Sequence, residues 1–123
     1  MIWDFPHARI IRWIDGDTVE VTVDQGFRQN CVQTLRLMGS ELGVNTRELS
    51  DKDSRLRELA NRAVAAVNNM APPGSAVMLR TAKPQVPQDG FGRFLAQVVM
   101  RDGRNVGDVL LEMGLAVPYV RKR

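Results

Sequence analysis

Val19, Val21 and Val23 alternate with Glu20, Thr22 and Asp24. A side-chain period of two is that of a strand with one buried face. An apolar, β-branched stretch over residues 8–14 precedes it, and Asp15-Gly16-Asp17 between the two reads as a turn. Asp24-Gln25-Gly26 ends the second strand in another turn, and residues 32–38 read as a third strand. Three strands joined by short turns make a meander. Residues 40–53 are polar and keep neither period, so they read as irregular. The period then changes. Leu56, Leu59, Ala60, Ala63, Val64 and Val67 fall on one face at helical spacing. Asp51, Asp53 and Ser54 supply caps and negative charge at the N-terminal end, and Pro72-Pro73-Gly74 stops the helix.

Residues 76–81 and 94–100 read as two more strands, separated by a loop over 83–92 that holds Pro84, Pro87, Gly90 and Gly92. A short helix is expected over about 106–113, capped by Asn105 and ended by Gly114. The order is three strands, helix, two strands, helix. That is the order of a five-stranded OB-fold β-barrel, an α+β class with a helix between strands 3 and 4 and a short C-terminal helix. A small α+β domain of other topology is the alternative. The chain has 123 residues and no linker or repeat, which predicts one domain over 1–123.

Composition changes this picture little, except in the kind of cation. The net charge is +3, and of 17 basic residues only Lys52, Lys83 and Lys122 are lysines. A guanidinium matches phosphate oxygens two at a time, so arginine tilts the reading toward phosphate. An arginine-rich genome gives the same bias. Cys31 is alone and cannot form an intrachain disulfide; His7 is the one histidine, which excludes a His-based zinc site. No signal-peptide pattern or bilayer-length apolar run is present. A cytoplasmic, non-membrane, monomeric protein is the expectation, with export left open.

Three residues stand out against this background. Asp17 follows a turn, where an Asp-Gly-Asp-Thr run more often caps its own backbone. Arg36 lies between Leu35 and Leu37, and a charge inside an apolar alternation ordinarily points outward. Arg93 closes the loop Asp89-Gly90-Phe91-Gly92-Arg93, where its plain reading is an exposed loop arginine.

Taken together they resemble the staphylococcal nuclease family. Ile14-Asp15-Gly16-Asp17-Thr18-Val19 is similar to the family's opening signature, and Leu35-Arg36-Leu37 to the strand bearing its first catalytic arginine. Asp89-Gly90-Phe91-Gly92-Arg93 with Leu95-Ala96 resembles the Asp-x-Tyr-Gly-Arg segment that bears the second. Arg101-Asp102-Gly103 through Val106, then Leu110-Leu111-Glu112-Met113-Gly114-Leu115-Ala116, resembles its last turn and helix. The resemblance implies a calcium-dependent nuclease that hydrolyses phosphodiester bonds of DNA, RNA or both with little sequence preference. It implies Asp17 as a calcium ligand, Arg36 and Arg93 as a phosphate clamp, and Phe91 and Tyr119 beside the nucleotide.

The segment after Arg36 departs from the family, which there reads Gly-x-Asp-x-Pro-Glu, with the Asp as second metal carboxylate and the Glu as general base. Without a gap, Glu41 takes the metal position and no base follows. With a four-residue insertion, Asn45 replaces the aspartate, Thr46 offers its carbonyl, Arg47 replaces the proline and Glu48 is the base. The insertion recovers more of the motif, and Glu41 then stands near enough to restore the missing charge. The rival reading keeps the barrel and loses the chemistry: a module that grips single-stranded nucleic acid through a degraded metal site.

Overall fold

The computed structural model describes residues 2–40, 43–82 and 94–119, with backbone alone at Ile2, Trp3, Ala82 and Tyr119. Its elements are β1 (Ile2–Asp15), β2 (Thr18–Asp24), β3 (Asn30–Met38), β4 (Gly43–Thr46), α1 (Ser54–Met70), β5 (Ala76–Ala82), β6 (Phe94–Val99), α2 (Val106–Glu112) and β7 (Ala116–Tyr119). Five of the strands close on one another. The ring runs β2-β1-β5-β6-β3, and β3 pairs back with β2. Every neighbouring pair in it is antiparallel except β3 with β6, which is parallel. This is the OB-fold barrel expected from the pattern, with α1 between the third and fourth barrel strands.

Alternation decides what fills the barrel. Val19, Val21 and Val23 of β2 and Leu35 and Leu37 of β3 are buried, as are Ile10 of β1, Leu79 of β5 and Val98 of β6. One end is covered by α1, whose Ala60, Ala63 and Val67 are buried. Asp53 caps the helix by accepting from Arg55 N at 2.9 Å. Trp13 reaches from β1 to the other end of α1, donating Nε1–H to Ala71 O at 2.9 Å. That bond fixes the helix against the strand leading into the Asp15-Gly16-Asp17 turn.

Two strands lie beyond the expectation, and one starts earlier. β1 begins at Ile2, and the first part of it pairs with β5. Residues 43–46, read as irregular, form β4, and residues 116–119 form β7; the two pair with each other, Asn45 opposite Val117 and Thr46 opposite Ala116. Four residues carry too little alternation to signal a strand. Pairing to a partner some 70 residues away supplies what the local pattern lacks.

The short helix α2 holds this annex to the barrel. Asn105 caps it, accepting from Asp108 N at 3.1 Å, and Asp108 Oδ1 in turn accepts from Ser40 N at 2.9 Å. Its buried Gly107 is pressed on the end of β3: a Cβ there would come within 2.7 Å of Met38 O. That neighbour is backbone and cannot swing away. Gly107→Ala is therefore expected to cost about 1–3 kcal/mol, read as a lower urea midpoint with the slope of the transition unchanged.

Candidate functional site

The β1–β2 turn does two things with its two aspartates. Asp15 behaves as a turn residue should, with Oδ1 accepting from Asp17 N at 3.1 Å. Asp17 does not. Its side chain is turned into the molecule and is 4% exposed. Oδ2 accepts from Thr46 N of β4 at 2.9 Å, and Oδ1 accepts from the Thr18 hydroxyl at 3.1 Å. The turn can enter this far because Gly16 has no side chain. A Cβ on Gly16 would meet Ala63 of α1 at 2.8 Å and the Thr46 methyl at 2.9 Å.

Arg36 completes the group. Register sets it opposite Thr18, beside the turn. The outward, solvated arginine expected from the Leu35-Arg36-Leu37 alternation is corrected here: its side chain is only 12% exposed. It does leave the barrel interior, but β4 is waiting on that side. Arg36 Nη2 donates to Asn45 Oδ1 at 2.8 Å and to Val44 O at 3.3 Å, and stands 3.6 Å from Asp17 Oδ2. Asp17, Arg36, Asn45 and Thr46 come from three separate stretches of chain and meet within hydrogen-bonding reach.

The other expected residues are placed as follows. Glu48 is exposed, two residues beyond Thr46 where β4 ends. Tyr119 ends β7 opposite Gly43. Glu41, Phe91 and Arg93 lie outside the described residues; Phe94, the sequence neighbour of Arg93, pairs with Leu35 beside Arg36. Asp15, a turn residue and part of the signature by sequence, also stands at the site. Its Oδ1 takes the Asp17 backbone N–H and its carboxyl group lies close enough to that of Asp17 to shift it, and the Asp-Gly-Asp spacing is the one signal of it.

Burial first, and then the side-chain contact and nearby charge of Asp15, push the Asp17 carboxyl up to about 6; Thr46 N–H and Arg36 pull the other way. Asp15 is held below its ordinary value. Its burial works against that, and its hydrogen bonds to Asp17 and Thr18 together with Arg36 outweigh it. An acid pair in contact with one arginine is short of positive charge, which is the condition in which a cation binds well. The donors are all oxygen: the carboxylates of Asp17 and Asp15 and the amide carbonyl of Asn45. They fit a hard divalent ion such as calcium and not a soft one. Among the described residues no cluster has three or more His, Cys, Asp or Glu. With two carboxylates and one amide oxygen, the set would hold such an ion more weakly than three carboxylates would.

A separate apolar cavity of about 170 Å³, lined by Phe5, Val23, Cys31, Leu35, Leu79 and Phe94 among others, includes none of these four residues. No charged side chain among the described residues lines it, so it offers nothing to offset phosphate charge.

An OB-fold barrel with a buried carboxylate and an arginine converging at the mouth of its β1–β2 turn is the class of molecule that the fold and site define. The chain belongs to the staphylococcal nuclease homologue family, whose model matches residues 34–123. The match spans Arg36, Asn45, Thr46 and Glu48. Asp17 lies upstream of it, and its bond to Thr46 ties it to the matched segment. Among curated proteins none matches the chain.

The raised Asp17 value has a sign that can be checked. Folded Asp17 holds its proton more tightly than the unfolded chain does, so its contribution to stability is present below about pH 4 and lost as pH rises through 6. In metal-free protein Asp17→Asn, which removes the charge and keeps an acceptor for Thr46 N, is expected to raise stability at pH 8 by on the order of 1–2 kcal/mol. The gain should vanish by pH 4 in urea unfolding curves measured across this range.

Proposed function

We propose that the chain is a calcium-dependent nuclease that hydrolyses phosphodiester bonds of DNA, RNA or both with little sequence preference. The observation that carries this reading is the convergence of Asp17, Arg36, Asn45 and Thr46. A pure binding surface has no use for a buried carboxylate set against an arginine. A barrel groove of this kind engages backbone and base faces, not base edges, which suits a substrate of any sequence.

In this mechanism Asp17 and Asn45 would hold the ion, with the Thr46 carbonyl and Glu41 as further donors. When bound, the ion offsets phosphate charge and polarises the phosphoryl group. Glu48 takes a proton from the attacking water as its oxygen bonds to phosphorus. Arg36 and Arg93 donate to the non-bridging phosphoryl oxygens, where charge builds in the transition state. The ester P–O bond then breaks, and the leaving oxygen takes up a proton. Asn45 has a second part. By accepting from Arg36 Nη2 it fixes one edge of the guanidinium before substrate arrives. Phe91 and Tyr119 give the base a flat surface.

One observation favours a second reading. Asn45 stands where the family has an aspartate, and its Oδ1 is already engaged by Arg36. A site so depleted of charge suits a module that binds single-stranded nucleic acid without cutting it.

Cleavage of single-stranded DNA and RNA, with calcium and with chelator, separates the two. The nuclease reading expects chelator-sensitive cleavage, reduced on the order of a hundredfold or more in Arg36→Ala and strongly reduced in Glu48→Gln. Tight binding with no cleavage under any divalent ion establishes the module instead. Calcium should also raise the melting temperature of the wild-type protein and leave Asp17→Asn unmoved. An equal shift in both would place the ion elsewhere.

A further inference from the structure

The β2–β3 hairpin ends in a turn that its sequence makes costly. Gly26, Phe27 and Arg28 have φ of 83, 54 and 61 degrees, three left-handed residues in succession. Glycine adopts this freely; an aromatic and an arginine do so against their preference. Backbone bonds impose the shape, Gln25 N to Gln29 O at 2.8 Å and Gln29 N to Gly26 O at 2.9 Å. The result is a phenylalanine 98% exposed at the tip, with an arginine next to it. Asparagine or glycine would make the same turn with less strain and no exposed ring. Strain of this kind, kept together with an exposed aromatic, is what a contact surface leaves behind.

The tip is joined to the Asp17–Arg36 site by one face of the ribbon. In β2 and β3 the odd-numbered residues Val19, Val21, Val23, Leu35 and Leu37 are buried in the barrel. The even-numbered ones lie on the opposite face, buried at Thr18 and largely covered at Arg36 beside the site, and exposed at Asp24, Asn30 and Val32 toward the tip. Cross-strand pairs on that face are Thr18 with Arg36, Glu20 with Thr34, Thr22 with Val32 and Asp24 with Asn30. The β3 half of the track runs Arg36, Thr34, Val32, Asn30 and bears no acid. Val32 is 59% exposed along it. The acids of the β2 half are engaged, Glu20 with Arg12 at 3.4 Å and Asp24 with Gly26 N at 2.8 Å. Arg36 and Asn30 are six steps apart along β3, about 20 Å at the usual rise.

We infer that the outer face of the β2–β3 ribbon, with Phe27 and Arg28 at its tip, is a distal subsite for single-stranded nucleic acid running away from the Asp17–Arg36 site. The inference rests on the nuclease reading of that site and adds to it the path of the strand. An arginine stands at each end of the track for phosphate, and Phe27 offers its ring to an unpaired base. Paired bases in a duplex show no free face for such stacking, so the subsite selects single strands.

The test is the affinity of labelled oligothymidylates of increasing length, read by fluorescence anisotropy with chelator present so that no strand is cut. Phe27→Asn removes the ring and suits the left-handed turn, so the fold is kept; thermal unfolding verifies this. On a strand of roughly twelve nucleotides Phe27→Asn should weaken binding about fivefold or more, and Phe27→Trp should restore it, as expected for a base stack. The loss should grow with strand length and be smallest on a dinucleotide. Equal affinities for wild type, Phe27→Asn and Phe27→Trp at every length overturn the distal subsite and leave the nuclease reading standing. A wild-type protein that neither binds nor cleaves any strand overturns both.

Discussion

A carboxylate buried at a turn needs partners, and Asp17 finds them in distant parts of the chain. Its Oδ2 takes the Thr46 N–H at 2.9 Å and stands 3.6 Å from Arg36, so β4 and β3 are both held to the β1–β2 turn by one side chain. A buried acid left without these bonds would cost several kilocalories per mole. Thr46 N–H is the more demanding partner, since a buried backbone donor also has to be satisfied. The short strand β4 therefore depends on Asp17 on one edge and on β7 on the other.

The barrel supplies the rigidity that this arrangement requires. Gly16 lets the turn touch α1 and Thr46, Trp13 ties β1 to the end of the same helix, and Asp108 of α2 holds Ser40 where the chain leaves β3. Three separate devices thus converge on the same small region. Their combined effect is that Asp17 and Arg36 face each other without a full balance of charge. Burial there, with the Asp15 carboxyl close by, raises the Asp17 carboxyl to about 6 against the pull of Arg36. A carboxylate so placed costs stability at neutral pH, a common bargain between stability and function.

The ribbon formed by β2 and β3 belongs to both halves of this molecule. Its inner face is barrel core, and its outer face begins at Arg36. A strand cannot change one face without keeping register on the other. The position of Arg36 in the site and the position of Val32 on the surface are therefore consequences of the same valines and leucines that fill the barrel.

Much of this was written locally. Alternation over residues 19–23, helical spacing over 56–67 and the caps at Asp53 and Asn105 are each settled by neighbours within a turn or a strand, and all appear where the pattern put them. The staphylococcal nuclease likeness was legible in the same way, as short motifs in order. The strands β4 and β7 were not, because four residues carry no period and gain their shape from each other across the chain. Nor was the direction of Arg36, since alternation says only that it leaves the core and not that β4 covers it. By itself the sequence determined the barrel's elements and singled out Asp17, Arg36 and Asn45 against the local pattern. Only the tertiary structure decided that Asp17, Arg36, Asn45 and Thr46 meet, because burial and charge at a point depend on everything folded around it.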